Sequence, residues 1–127
     1  MLNVWKTALN ELRGDPSFRR MFRMMEKYKT RTAAELTVSD GRIIKRSYAE
    51  YIAMAKNACA AIKRRGYFGG EKFIGLIYDT CMDWPVLMWG ILMSGNIPLL
   101  INPGSESETV NGIINEARAA AYTAENR

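Results

Sequence analysis

Two pairs of carboxylates, two cysteines and one glycine-rich turn are the features of this chain that could do chemistry. Glu106 and Glu108 lie close together. Asp79 and Asp83 bracket a turn after an apolar strand, where α/β proteins often bind ligands. Paired acids can hold a metal ion or share general acid and base duty. Acids in the first turn of a helix also complement its dipole, and both pairs are read in that way here. Tyr78 and Asp79 are the best candidates for a surface that faces a ligand. Cys59 falls in an apolar stripe of helical period with no base beside it, and is read as a small core residue. The spacing of Cys59 and Cys81 fits no metal motif, so both thiols are expected to be reduced in a cytoplasmic chain. Histidine is absent, which removes the commonest general base and the commonest metal ligand. Gly66-Tyr67-Phe68-Gly69-Gly70 would suit a phosphate only if it followed a strand and opened a helix. It follows a helix and enters a strand, so it is a connector. No residue is nominated as catalytic, cofactor-binding or metal-ligating.

The elements that would have to position such groups can be read from length and pattern. At 127 residues the chain has the size of one domain, and 48% hydrophobic with 24% charged residues is an ordinary globular balance. The net charge of +5 permits an anionic partner, but the basic residues occur in several segments with acids among them. A solvated surface is the reading, and no nucleic-acid site is expected. No apolar run reaches the roughly eighteen residues of a membrane span.

Leu2, Trp5, Leu9 and Leu12 have the spacing of a short amphipathic helix, with Gly14 as its stop. Asp15-Pro16 then offers an N-cap and a proline at the first helical position. Phe18, Met21, Phe22, Met25 and Tyr28 line one face of a second helix, with Arg19, Arg20, Arg23 and Lys27 opposite. Contact of residues 16–29 with an anionic membrane is conceivable, but the reading adopted is a helix docked on its own protein with its charges in water. From Ala34 to Arg46 the period becomes two, and Asp40-Gly41 predicts a two-residue hairpin turn.

Ser47 and Glu50 have capping-box spacing, and Tyr48, Tyr51, Ile52, Ala55, Cys59 and Ile62 form the inward face of the helix that follows, which Gly66 ends. Strand Phe73 to Tyr78 leads to Trp84–Met93, a run that is apolar around its whole circumference. Pro85 sets the start of that helix near Asp83. Gly95 closes it in the left-handed conformation, and Asn102-Pro103-Gly104 stops the strand Ile97 to Ile101. Ser105 and Glu108 repeat the capping-box spacing for a helix with Val110, Ile113, Ile114 and Ala117 inward, and Ala119 to Ala124 has the length of a third strand. The order implies an α/β fold: a partial doubly wound sheet of about three parallel strands with helices, plus a β-hairpin and N-terminal helices. A lone chain of this size has difficulty covering the Trp84–Met93 helix, so an open apolar patch or a homodimer is expected.

Arg46-Ser47-Tyr48-Ala49-Glu50-Tyr51 and, some forty positions on, Ile91 to Pro103 resemble the first two sequence motifs of the AMP-forming adenylating enzymes, the superfamily of acyl-CoA synthetases, luciferases and adenylation domains. The matching positions are Ser47, Tyr48 and Glu50 in the first motif and Gly95, Asn102 and Pro103 in the second, each with a sufficient structural role as cap, core contact or turn. The resemblance covers roughly Arg31 to Glu125 and implies that residues 31–127, after the amphipathic helices of residues 1–30, are the first, incomplete α/β subdomain of such an enzyme. The parent would use ATP and Mg²⁺ and pass an acyl group to coenzyme A or another thiol, with the remainder of the enzyme as this segment's partner. The family's phosphate loop, its aromatic-Gly-x-Thr-Glu motif, its ribose-binding aspartate and its C-terminal lysine do not occur here. The chain alone is therefore expected to be inactive. A free-standing interaction module derived from such an enzyme is the alternative. A small nucleotide binder is disfavoured, because no glycine fingerprint follows Tyr78 or Ile101.

Overall fold

A computed structural model of the chain describes residues 16–67 and 70–125, together with 6, 10, 13 and 14. The apolar positions of the expected first helix, Leu2, Trp5, Leu9 and Leu12, lie outside the described residues, as does Asp15. The chain divides into two compact units, Met1–Ile52 and Ala53–Arg127.

In the first unit, α1 (Phe18–Lys27) starts at Ser17, whose side chain accepts the Arg20 amide at 3.1 Å. The serine takes the cap, so Pro16 precedes the helix instead of opening it. No residue of α1 is buried, although a helix docked on its own protein was expected. The chain then turns through Tyr28, whose ring centroid is 5.5 Å from Lys27 Nζ and 5.6 Å from Arg31 Cζ. Strands β1 (Thr32–Thr37) and β2 (Ile43–Ser47) pair antiparallel, with Glu35 opposite Lys45 and Leu36 opposite Ile44.

Their connection has three residues, not the expected two. The Gly41 amide donates to the Val38 carbonyl and the Val38 amide to Arg42, both at 2.9 Å. Gly41 at φ 85 is the left-handed residue of a bulged type I turn. The Asp40 carboxyl accepts the Arg42 amide at 3.0 Å and its Nε at 2.6 Å. The amide bond first, then the guanidinium, holds that carboxyl below its ordinary range. The period-two pattern does not bury one face: Leu36, Ile43 and Ile44 are all exposed.

Helix α2 (Tyr48–Arg64) opens with the reciprocal bonds that its spacing demands. The Ser47 hydroxyl accepts the Glu50 amide at 3.2 Å, and Glu50 accepts the Ser47 amide at 2.7 Å. That amide, followed by the Ser47 hydroxyl and the Arg46 charge, lowers the Glu50 carboxyl from its ordinary value. Tyr51, Ile52, Ala55 and Cys59 are buried as the stripe predicts, and Tyr48 is half-buried. Gly66, at φ 87, ends the helix: its amide reaches Lys63 O at 2.9 Å, and Tyr67 N reaches Ile62 O at 3.3 Å.

The second unit is built on a parallel sheet in the order β4-β3-β5, with β3 at Phe73–Ile77, β4 at Ile97–Leu100 and β5 at Ala121–Ala124. Alternation along β3 sends Ile74 and Leu76 to one face, where they join Ile91 in the core, with Ile62, Trp84, Leu87 and Met88 around them. Gly75 points to the other face, where a Cβ would stand 2.9 Å from that of Tyr122.

Helix α3 (Trp84–Met93) has no exposed residue, so the open apolar surface expected on the sheet or helix layer does not lie on this helix. Gly90 permits this, because it lets α3 lie against Ala55, Ala58 and Cys59 of α2. The exposed large apolar side chains of this unit are instead on the sheet, at Phe73, Ile97, Leu100 and Tyr122. Gly95 has φ 79 and closes α3 with its amide on Leu92 O at 3.1 Å and Asn96 N on Ile91 O at 3.2 Å.

Helix α4 (Ser107–Ala117) starts one residue later than the Ser105 capping box predicts. Ser105 donates its amide to the Asn102 carbonyl at 3.1 Å and is spent in a turn, which leaves Glu106 as an N-cap with no side-chain bond. The far end of α4 is a left-handed Arg118 at φ 52.

Candidate functional site

Strand order decides where a ligand could lie. From β3 the chain crosses through α3 to β4 on one side, then returns through α4 to β5 on the other. The connections that leave the carboxyl ends of β3 and β4 thus run in opposite directions, and it is outside the carboxyl ends of the strands that open α/β sheets bind ligands. A groove of about 400 Å³ lies there, lined by Ile77 of β3, Tyr122, Ala124 and Glu125 at β5, Pro103 and Ser105 of the turn, and Ser107, Val110, Asn111 and Ile114 of α4.

Local chemistry builds its rim. The Asn102 side chain accepts the Gly104 amide at 2.9 Å while its carbonyl accepts Ser105 N, and this double bond holds Pro103 at the corner of the turn. Apolar side chains form much of the lining, and three hydroxyls (Ser105, Ser107 and Tyr122) and the Asn111 amide can hydrogen-bond a ligand. Glu125 is the one carboxylate among the described lining residues, which include no Lys or Arg. The described lining thus offers a phosphate no cationic side chain and one carboxylate. Among the described residues no cluster of three His, Cys, Asp or Glu could hold a metal ion.

The residues singled out in the sequence fall in both units. Ser47, Tyr48 and Glu50 belong to the first unit and Gly95, Asn102 and Pro103 to the second. Gly95 precedes β4 and Asn102 follows it, so those two mark opposite ends of one strand. Of the six, Pro103 alone lines the groove. Tyr78 packs against the core, and its hydroxyl lies 3.4 Å from Thr123 Oγ1, while Asp79 is exposed. Neither lines the groove. Glu106 and Glu108 are both exposed at the start of α4.

Sequence reading missed Ser107, Asn111 and Tyr122. Their signal was positional: Tyr122 is a β5 residue paired with Gly75, and the pairing is visible only once strand order is known. It also missed a buried polar pair, in which Ser94 Oγ donates to Ile91 O at 2.7 Å. Asn96 Nδ2 donates to Ser94 Oγ at 2.8 Å and to Tyr67 O at 3.0 Å. This pair ties the end of α3 to the segment after α2 and is structural.

A family model described as AMP-binding enzyme matches residues 21–126. The chain belongs to the AMP-binding enzyme family. Solved structures agree in fold. The Klebsiella oxytoca NpsA N-terminal subdomain in complex with 3-hydroxyanthranilyl-AMSN superposes with TM-score 0.71 at 13% identity, over 87% of this chain and 27% of that one. A benzoate CoA ligase from Burkholderia xenovorans gives TM-score 0.65 at 21% identity, over 79% and 20%. A four-domain nonribosomal peptide synthetase bound to AMP and glycine gives 0.67 at 20% identity, over 83% and 8%. The chain therefore spans about a quarter or less of the length of these structures. No curated protein sequence matches it. Among the described residues no helix is long and apolar enough to cross a membrane.

Proposed function

We propose that this chain is the N-terminal structural part of an ATP-dependent, AMP-forming ligase that joins a carboxylic acid to a thiol through an acyl-adenylate in the cytoplasm. ATP, Mg²⁺ and coenzyme A would be bound with the help of residues outside this chain. The family match over residues 21–126 carries the reading, and a groove whose described lining has no Lys or Arg supports the view that this segment alone is inactive. Its residues would then contribute the sheet, the Asn102-Pro103 corner and one wall of the cleft. The exposed Phe73, Ile97, Leu100 and Tyr122 would pack against later residues of the enzyme or, without them, a second copy.

A second reading, a free-standing non-catalytic module, is favoured by the closure of α3 within this chain. ATP–pyrophosphate exchange tests the first: the purified chain should give none with any carboxylic acid, and measurable exchange overturns the proposal. The transcript beyond the Arg127 codon separates the two readings. A continuing frame with a Ser/Thr/Gly-rich phosphate loop supports the ligase, and a stop codon supports the module.

A further inference from the structure

The excess positive charge of this chain is confined to one place. Residues 16–31 carry six of the 18 Lys and Arg but one of the 13 Asp and Glu, a net +5 that equals the charge of the whole chain. Outside that segment, basic and acidic residues balance at twelve each. Most of the segment is α1, and on a helical wheel its charges are segregated. Arg19, Arg23, Lys27 and Arg20 occupy one arc, while Phe18, Met21, Phe22 and Met25 occupy the other. No residue of α1 is buried, and Phe18 and Met21 are 57% and 40% exposed on the apolar arc. The helix is held at both ends, by Ser17 at its start and after its close by Lys29 O and Arg31 O, each accepting a backbone amide of α2 at 3.0 Å.

We propose that α1 is a membrane-surface helix that lays Phe18 and Met21 into an anionic lipid bilayer while Arg19, Arg20, Arg23 and Lys27 pair with the headgroups. Exposed apolar side chains beside a segregated basic arc, with low overall hydrophobicity, are the features of interfacial helices. Coulomb attraction to an anionic leaflet supplies the part of the affinity that two partly inserted side chains do not. A polyanion such as nucleic acid would use the same arginines but has no need of Phe18 and Met21.

The test uses the full chain and vesicles of phosphatidylglycerol with phosphatidylcholine, set against phosphatidylcholine alone. Binding to the mixed vesicles only is expected, weakened roughly 25-fold by Arg19→Gln with Arg23→Gln and roughly tenfold by Phe18→Ser with Met21→Ser. Lys63→Gln with Arg64→Gln, an exposed basic pair on α2, should change it little. Thermal melting monitors folding, and should the Phe18/Met21 variant fail to fold, the two arginine and lysine pairs decide the result. Failure to bind the mixed vesicles overturns the proposal, as does equal weakening by both basic pairs. Binding of a short DNA or heparin that needs the arginines but is indifferent to Phe18 and Met21 overturns it in favour of a polyanion site.

Discussion

No residue of α3 is exposed and no residue of α4 is buried, although both helices are crossovers of one parallel sheet and both end in the same backbone pattern. Each end pairs the left-handed residue with the carbonyl three positions back and the next amide with the carbonyl five back, at Gly95 and Asn96 for α3 and at Arg118 and Ala119 for α4. What differs is what the side chains allow. α3 carries no charge and has Gly90 where it meets α2, whereas α4 carries Glu108 and Glu116 and has Gly112, around which there is open space. The sheet is thus sealed on one face, while the other keeps a groove.

The largest expected effect compares equivalent apolar side chains. Ile91→Ala in α3, at 1% exposure, should destabilise the fold by about 4 kcal/mol, and the half-buried Ile114→Ala in α4 by about 1 kcal/mol, read from urea denaturation midpoints. Equal losses would break the comparison.

Next are the two mid-helix glycines, for which opposite signs are expected. A Cβ at Gly90 would stand 2.6 Å from Ala58 Cβ, 3.2 Å from Cys59 N and 3.3 Å from Ala55 O, two of which are backbone atoms. Gly90→Ala should therefore destabilise by about 2 to 3 kcal/mol. Gly112→Ala meets nothing within 4 Å and should stabilise by about 0.5 to 1 kcal/mol through lost unfolded-state entropy. Thermal melts of both variants decide it, and a stabilising Gly90→Ala would show that α3 has room to move.

The helix ends should also respond with opposite signs. Gly95→Ala forces a Cβ into φ 79 and should destabilise by about 1 kcal/mol; Arg118→Gly relieves φ 52 and should stabilise by a similar amount. Unchanged midpoints would mean that neither conformation is under strain.

The smallest effect belongs to α2, which has the reciprocal side-chain cap that α3 and α4 lack. Because folding lowers the Glu50 pKa, its contribution is complete above the ordinary glutamate value and is lost as pH falls through the folded value. Glu50→Gln should flatten the fall in melting temperature over that acid window and leave a residual slope of the same sign from Asp40. An unchanged slope would remove the cap from the account.

Features made by neighbours in sequence were legible. The Ser47/Glu50 box, the closures at Gly66 and Gly95 and the Asn102-Pro103-Gly104 turn each need only a few adjacent residues. Local choices between competing residues were not: Ser17 takes a cap from Asp15-Pro16, a third residue enters the hairpin loop, and Ser105 is spent in a turn. The left-handed Arg118 carries no propensity signal, since nothing in Ala117-Arg118-Ala119 asks for that conformation. The groove was illegible for another reason. Its walls come from β3, α4 and β5, and only the order β4-β3-β5 brings Ile77 beside Ala124 and Glu125.

That order also sets a timetable for the nascent chain. β3 can pair with β4 once Leu100 has left the ribosome, but its other edge has no partner until Ala121–Ala124 has been made, some twenty residues later. At ordinary elongation rates the delay is on the order of one to a few seconds. During it, Ile74 and Leu76 lie in a strand with a row of unpaired amides and carbonyls, the condition under which strands pair with other chains. Chains truncated after Ala117 should therefore associate with one another more than chains that extend past Glu125, and equal association would show that α4 shields the edge before β5 arrives. The strand that anchors the finished sheet is, for that interval of synthesis, its most vulnerable edge.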